Sequence, residues 1–207
     1  MSLLRRNSAH HQAAPIPSDT SEDGAALAAA REGDPRDFAP LFRRYWDPVL
    51  RYCTVRLGDR DEAEDAASQV FVDAYASLHR FQDRGGVGSF RSWLFTIAHH
   101  EVANRHRYRV RHPARPLGDV EEPVDSDTMF EQAAMAHDIA HMIALVRQLP
   151  DRPREVVELR LAGLTDREIA EVLGISGQAV RQAQSRAVTQ LRIRMGVAHD
   201  VERMVHG

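Results

Sequence analysis

The sequence predicts an all-α fold of two small helical domains joined by a flexible acidic linker. Three observations carry this expectation. Apolar residues recur at helical spacing through residues 25–111 and 129–195, and no segment alternates as a strand would. Residues 112–128 break that pattern with three prolines and the acids Asp119, Glu121, Glu122, Asp125 and Asp127; proline and like charge favour an extended connector. Residues 163–195 place a cap, a turn and a second cap in the order of a helix-turn-helix ending in a basic helix.

The elements follow in order. Residues 1–24 lack the apolar core of a signal peptide and read as a disordered tail. A short alanine-rich helix is expected over Ala25–Arg31. Asp34-Pro35 is a cap followed by a proline suited to a first turn. Phe38, Leu41, Phe42, Tyr45, Val49, Leu50, Cys53 and Leu57 mark the next helix, which Pro48 should kink or restart because it has no amide hydrogen. Gly58 ends it. Asp59 and Glu62 open another helix whose packing face is Ala63, Ala66, Ala67, Val70, Phe71, Ala74 and Leu78. The loop Phe81–Phe90 is rich in glycine, and Ser89 can cap the helix carrying Phe90, Trp93, Leu94, Ile97, Ala98 and Val102. Beyond the connector, a helix from Met129 closes at Leu149-Pro150, and Asp151 with Pro153 starts another with Val156, Val157, Leu159 and Leu161 apolar. Residues 196–207 form a short tail of unassigned role.

Composition narrows the function classes. The 207 residues suffice for one large or two small domains, and 28% charged with 43% hydrophobic is ordinary for a globular protein. All 27 basic residues are arginine, the bias expected of a GC-rich coding sequence, and it is not read as a function. The single cysteine, Cys53, cannot form an internal disulfide, so a reducing cytoplasm is the expected location and a small buried hydrophobe the expected role. No apolar run approaches a membrane span, so no membrane insertion is expected.

The helix-turn-helix is the sharpest motif. In a capping box Thr165 and Glu168 satisfy each other's exposed amides, Gly174 supplies a positive φ at the helix end, Ile175 plugs the turn and Ser176 caps the second helix. On that helix Arg181, Gln182, Ser185 and Arg186 share a face suited to phosphates and base edges in a major groove.

A second basic feature is Arg105, Arg107, Arg109, Arg111 and Arg115. Residues two apart turn about 200° per step, so these arginines wrap a helix end rather than form a stripe. Phosphate-backbone contact and a solvated helix end are both open readings. Phe90, Trp93 and Phe95 lie just upstream, next to the glycine-rich loop. Aromatic platforms beside positive charge are what single-stranded DNA needs, although for each ring alone a core position is the stronger reading. Chemistry is not indicated. His99 and His100 point about 100° apart on a helix. His137 and His141 share a face but have no third ligand, and no phosphate-cradling loop or nucleophile elbow is present. The chain is expected to be neither an enzyme nor a metalloprotein, and to need no cofactor.

The strings AEDAASQVFVDAY (Ala63–Tyr75), SFRSWLFTIAHHEVAN (Ser89–Asn104) and Leu149–Ala187, in this order, resemble the extracytoplasmic-function (group IV) branch of the sigma-70 family. That resemblance implies a partition into residues 25–111 as region two and 129–195 as region four. It implies core RNA polymerase as partner through Asp65, Ser68 and Gln69, where Ser68 and Gln69 replace the family's common Gln-Glu. It implies reading of the −10 element, as melted non-template strand, by Phe90, Trp93, His100, Asn104, Arg105 and Arg107, with His100 where relatives often carry Asn. Duplex reading of the −35 element falls to Arg181, Gln182, Ser185 and Arg186, and Ala183 stands where many members have Arg. The acidic connector resembles the linker that threads toward the polymerase active centre, and an anti-sigma partner is a family expectation. The free chain is then expected to be a flexible pair of domains. Two other classes stay open: a stand-alone helix-turn-helix regulator, and a degenerate sigma-like interaction protein.

Overall fold

A computed structural model describes residues 20–32, 34–82, 89–112 and 141–205 of the chain. The glycine-rich loop at 83–88, the acidic connector, the expected helix start at Met129, and His137 lie outside the described residues. Among those described, all regular structure is helical: α1 Thr20–Arg31, α2 Ala39–Leu57, α3 Arg60–Ser77, α4 Ser89–Arg111, α5 over 141–147, α6 Asp151–Leu161, α7 Asp166–Leu173 and α8 Gly177–Val205. Short 3-10 turns at Pro35–Phe38 and Leu78–Arg80 lead into α2 and out of α3.

The first domain is a bundle of α2, α3 and α4, with α1 laid against α2. The expected seam of α3 is buried at Ala63, Ala66, Ala67, Val70, Phe71 and Ala74. Its many alanines let α2 and α4 approach closely, and the volume is filled from those helices by Leu41, Tyr45, Val49, Tyr52, Leu94, Phe95 and Val102. Asp59 caps α3 by accepting from the Glu62 amide at 2.8 Å. Gly58 ends α2 at φ +80°, a left-handed conformation that costs glycine little.

Three boundaries differ from expectation. α2 passes through Pro48 without a restart, the proline being buried. α1 begins at Thr20, not Ala25, because Asp23 has work to do: its carboxylate accepts from the Arg44 guanidinium at 2.6 Å and from the Tyr45 hydroxyl. At the other end of α1, Arg31 donates to the Phe81 carbonyl and lies over the Phe81 ring. α8 runs on to Val205 and takes in most of the expected C-terminal tail. Cys53 is buried, and burial pushes its thiol up to about 12, in keeping with a packing role.

The second domain is α5–α8, with α7 and α8 as the helix-turn-helix. The caps are formed as expected. Thr165 and Glu168 close the capping box, Gly174 takes φ +62°, and the Ser176 hydroxyl accepts from the Ala179 amide at 3.2 Å. Arg160 of α6 clamps the motif from below: it donates to the Leu164 carbonyl at 2.8 Å, to Gln184 of α8 at 3.4 Å and to Asp166 at the start of α7.

The two domains are docked. α4 packs on α7 and α2 on α6, and one continuous apolar core holds Val49 and Leu94 from the first domain together with Val156, Leu159, Ile169 and Val180 from the second. The expected flexible pair is thus, in this arrangement, a single closed unit. Ion pairs seal the contact. Arg91 of α4 donates through Nε and one terminal nitrogen to both oxygens of Glu168, each at 2.6 Å. Ser92 donates to Glu171, and Arg56 of α2 meets Glu158 of α6 at 2.6 Å. Burial works against the charged form of Glu158 and raises its carboxyl from the ordinary value, while the adjoining Arg56 pulls the other way.

Candidate nucleic-acid interface

The helix-turn-helix sorts its side chains cleanly. Val180, Ala183 and Ala187 form the buried side of α8, while Arg181, Gln182, Ser185 and Arg186 are all exposed. Steps of one, four and five residues keep the exposed four on one face. The capping box fixes α7, the left-handed Gly174 sets the turn, and the Ile175 amide closes it on the Ala170 carbonyl at 3.0 Å. The exposed face is therefore presented by a rigid frame, as base readout requires. Ala183, where the resemblance implies an arginine, is 5% exposed and lies on the buried side of α8 rather than on the exposed face.

In the first domain, four of the expected −10 residues share one side of α4. Trp93, His100, Asn104 and Arg107 lie seven, four and three residues apart, which places them within about 60° of one another around the helix. Trp93 is half-buried and the other three are exposed. Arg107 donates to the Asn104 side-chain oxygen, which aligns the two along the stripe. Arg105 stands about a third of a turn away and pairs with Glu101 at 2.7 Å. Arg109 reaches back to pair with Glu62 of α3, away from the stripe. The expectation for Phe90 is corrected. The ring is 4% exposed and is held edge-on by Tyr45 and Phe81 at centroid distances of 5.5 and 5.7 Å, with Trp93 beside it at 5.7 Å. Phe90 supports Trp93 from beneath and offers no free face for a base.

Asp65, Ser68 and Gln69 are exposed together on α3, Gln69 donating to Asp73 at 2.8 Å. Val72, 60% exposed one turn on, extends this face with an apolar side chain that the sequence reading passed over. The Arg91–Glu168 pair also escaped it. Glu168 reads locally as a capping residue, and its second partner lies 77 positions away.

Comparison with known proteins agrees with this architecture. The Sigma-70 region 2 family model matches residues 41–112, and the Sigma-70, region 4 model matches residues 141–191. The ECF RNA polymerase sigma factor ShbA of Streptomyces griseus is 39% identical over 184 residues, covering 84% of this chain and 95% of that protein. SigD of Mycobacterium tuberculosis, also an ECF RNA polymerase sigma factor, is 34% identical over 182 residues, covering 85% of each. Among solved structures, CnrH in complex with the cytosolic domain of CnrY superposes with a TM-score of 0.67 at 23% identity, covering 85% of this chain and 98% of that one. The sigma factor RpoE of Bartonella quintana, solved with the anti-sigma factor NepR, gives 0.60 at 19%, covering 78% and 98%. The two family models and these relatives define the class as a transcription initiation factor. The chain belongs to the ECF sigma factors of the sigma-70 family. Proteins of this family bind core RNA polymerase and promoter DNA. Among the described residues, no helix is long and apolar enough to cross a membrane.

Proposed function

We propose that this chain directs core RNA polymerase to its own set of promoters and assists their melting. The observation that carries the reading is the sorting of α8: four polar DNA-competent side chains outward and three apolar ones inward, in the same chain as a region-two bundle. Arg181, Gln182, Ser185 and Arg186 read the −35 duplex. Trp93, His100, Asn104 and Arg107, with Arg105 at their flank, take the −10 non-template strand as it separates. Capture of unstacked bases then offsets an unpairing cost of a few kcal/mol per base. Asp65, Ser68 and Gln69, with Val72, form the face toward core polymerase in the cytoplasm. The docked arrangement holds the two readers in one compact unit, so engagement of two promoter elements separated by a spacer requires the α4–α7 contact to part. CnrH and RpoE were each solved with a protein partner; an anti-sigma partner that favours the docked form is part of this proposal.

Run-off transcription with core polymerase, on promoters located by transcript mapping after overexpression, tests it. Promoter-specific transcripts are expected. Failure of the folded chain to capture core polymerase in a pull-down would overturn the reading. Specific operator binding without polymerase would instead favour a stand-alone regulator.

A further inference from the structure

Where the two domains meet beside the Arg56–Glu158 pair, they leave a cavity of about 500 Å³. Its walls come from both sides: Arg56 and Leu57 of α2 with Ala103, His106 and Arg109 of α4, facing Arg147 of α5 with Arg154 and Glu158 of α6. Four arginines face one lining carboxylate. We infer that this cleft is a binding site for a diphosphate group, free or carried by a nucleotide, and that its occupancy ties the two domains together.

The state of each cation supports this. Arg147 has no carboxylate within ion-pair distance among the described residues, and its guanidinium lies so close over Gly58 that a Cβ there would collide with it. Arg56 is committed to Glu158 through one terminal nitrogen, its side chain is only 8% exposed, and its buried Nε has no acceptor among the described residues. Arg154 is held at 2.6 Å by Asp151, which is 87% exposed, and more loosely at 3.9 Å by Glu158, and Arg109 is held by Glu62. Surface pairs of this kind contribute little and can be exchanged for a stronger acceptor. The positive field is felt at His106, whose imidazole is lowered from its ordinary value by burial and then by Arg56 and Arg154.

Size and lining set the ligand class. Planar guanidiniums match phosphate oxygens two at a time. A single phosphate would leave most of the volume empty, whereas a cavity of this size suits a nucleotide-scale ligand. Leu57 and Ala103 supply an apolar wall, which a base or ribose can cover and pyrophosphate cannot. Because the walls belong to both domains, a ligand that needs both binds only the docked form and shifts the population toward it.

Titration calorimetry on the full chain, with inorganic pyrophosphate, adenosine diphosphate and sulfate as separate probes, tests the site. Pyrophosphate is expected to bind at least tenfold more tightly than sulfate. Adenosine diphosphate binding more tightly than pyrophosphate would assign the apolar wall to a nucleoside. Arg147→Ala, at an exposed position, should weaken pyrophosphate at least tenfold, and Arg192→Ala on the far helix should not. Pyrophosphate binding no tighter than sulfate, or equal affinity in Arg147→Ala, would overturn the inference. Neither polymerase nor DNA is used, so the outcome is independent of the transcription assay.

Discussion

Arg91 and Glu168, one from each domain, meet in a two-pronged ion pair buried at 6% and 2% exposure. The same carboxylate accepts from the Thr165 amide at 2.8 Å and the Thr165 hydroxyl at 2.7 Å. One side chain thus completes the helix-turn-helix locally and locks it to the back of α4. Arg91 leaves α4 roughly opposite the Trp93–Arg107 stripe. Docking therefore covers the side of α4 opposite that stripe, and what it restrains is the relative placement of the two exposed faces on α4 and α8.

Glu168→Gln separates the two roles. Glutamine still serves the capping box but leaves Arg91 buried opposite a neutral group. Breaking a buried pair in this way costs about 3–5 kcal/mol. The expected result is a larger radius of gyration in small-angle scattering with helicity retained. An unchanged radius and an unchanged unfolding midpoint would show that apolar contact alone holds the domains.

The exposed face of α8 predicts how promoter choice fails. Arg181→Ala and Arg186→Ala should each lower −35-dependent initiation about 5- to 150-fold, the range of about 1–3 kcal/mol for a good base contact. Core binding should persist, since neither residue touches the frame. Run-off assays paired with pull-downs read both quantities, and unchanged promoter choice in both variants would remove this face from the reading.

Ala183 gives the opposite expectation. The family resemblance implies arginine there, yet the position is buried beside Val180 and Ala187. Ala183→Arg should gain no DNA affinity and should lose stability, because a bulky charge enters a filled, apolar site. A denaturation midpoint equal to that of the parent, together with tighter binding to a −35 duplex, would contradict the placement.

What was legible in the sequence is what is local. Thr165, Glu168, Gly174 and Ser176 announce themselves because caps and turns are set within four residues, and the α3 seam follows from one helical period. What was not legible depends on chain distance. The Glu168 partner lies in another domain, Phe90 is claimed by Tyr45 from across the bundle, and Asp23 orders α1 only through Arg44 and Tyr45. The basic cluster after Asn104 reads as scattered in sequence. Its members separate only once Glu101 and Glu62 take Arg105 and Arg109.

That separation orders the salt effects. Arg107 lies on the Trp93–Asn104 stripe with no carboxylate partner among the described residues, while Arg105 is paired with Glu101. Each phosphate contact on single strands contributes about 0.7 to the slope of log affinity against log salt. Arg107→Ala should therefore flatten the slope for open-complex formation by roughly 0.7, and Arg105→Ala by less. Equal slopes for Arg107→Ala and the parent would return Arg107 to the solvated helix end.

The last prediction concerns acid. His99 stands half-buried on α4 with Nδ1 3.1 Å from the Tyr52 hydroxyl. Burial, and then Arg56, His100 and Arg152, hold its imidazole down to about 4. Burial raises the Tyr52 hydroxyl, which stays protonated and donates to a neutral Nδ1. Between about pH 6.5 and pH 4 the unfolded chain binds a proton that the folded chain refuses. The stability owed to neutral His99 is therefore complete above pH 6.5 and drains as pH falls toward 4. The whole shift would correspond to about 3 kcal/mol, and solvent screening at a partly exposed ring reduces it to about 1–2 kcal/mol. Urea midpoints measured between pH 7.5 and pH 5 should fall more steeply for the parent than for His99→Gln, whose amide does not titrate. Parallel curves would assign the acid sensitivity elsewhere, with Glu158 excluded as its source because a raised carboxyl gains stability as pH falls.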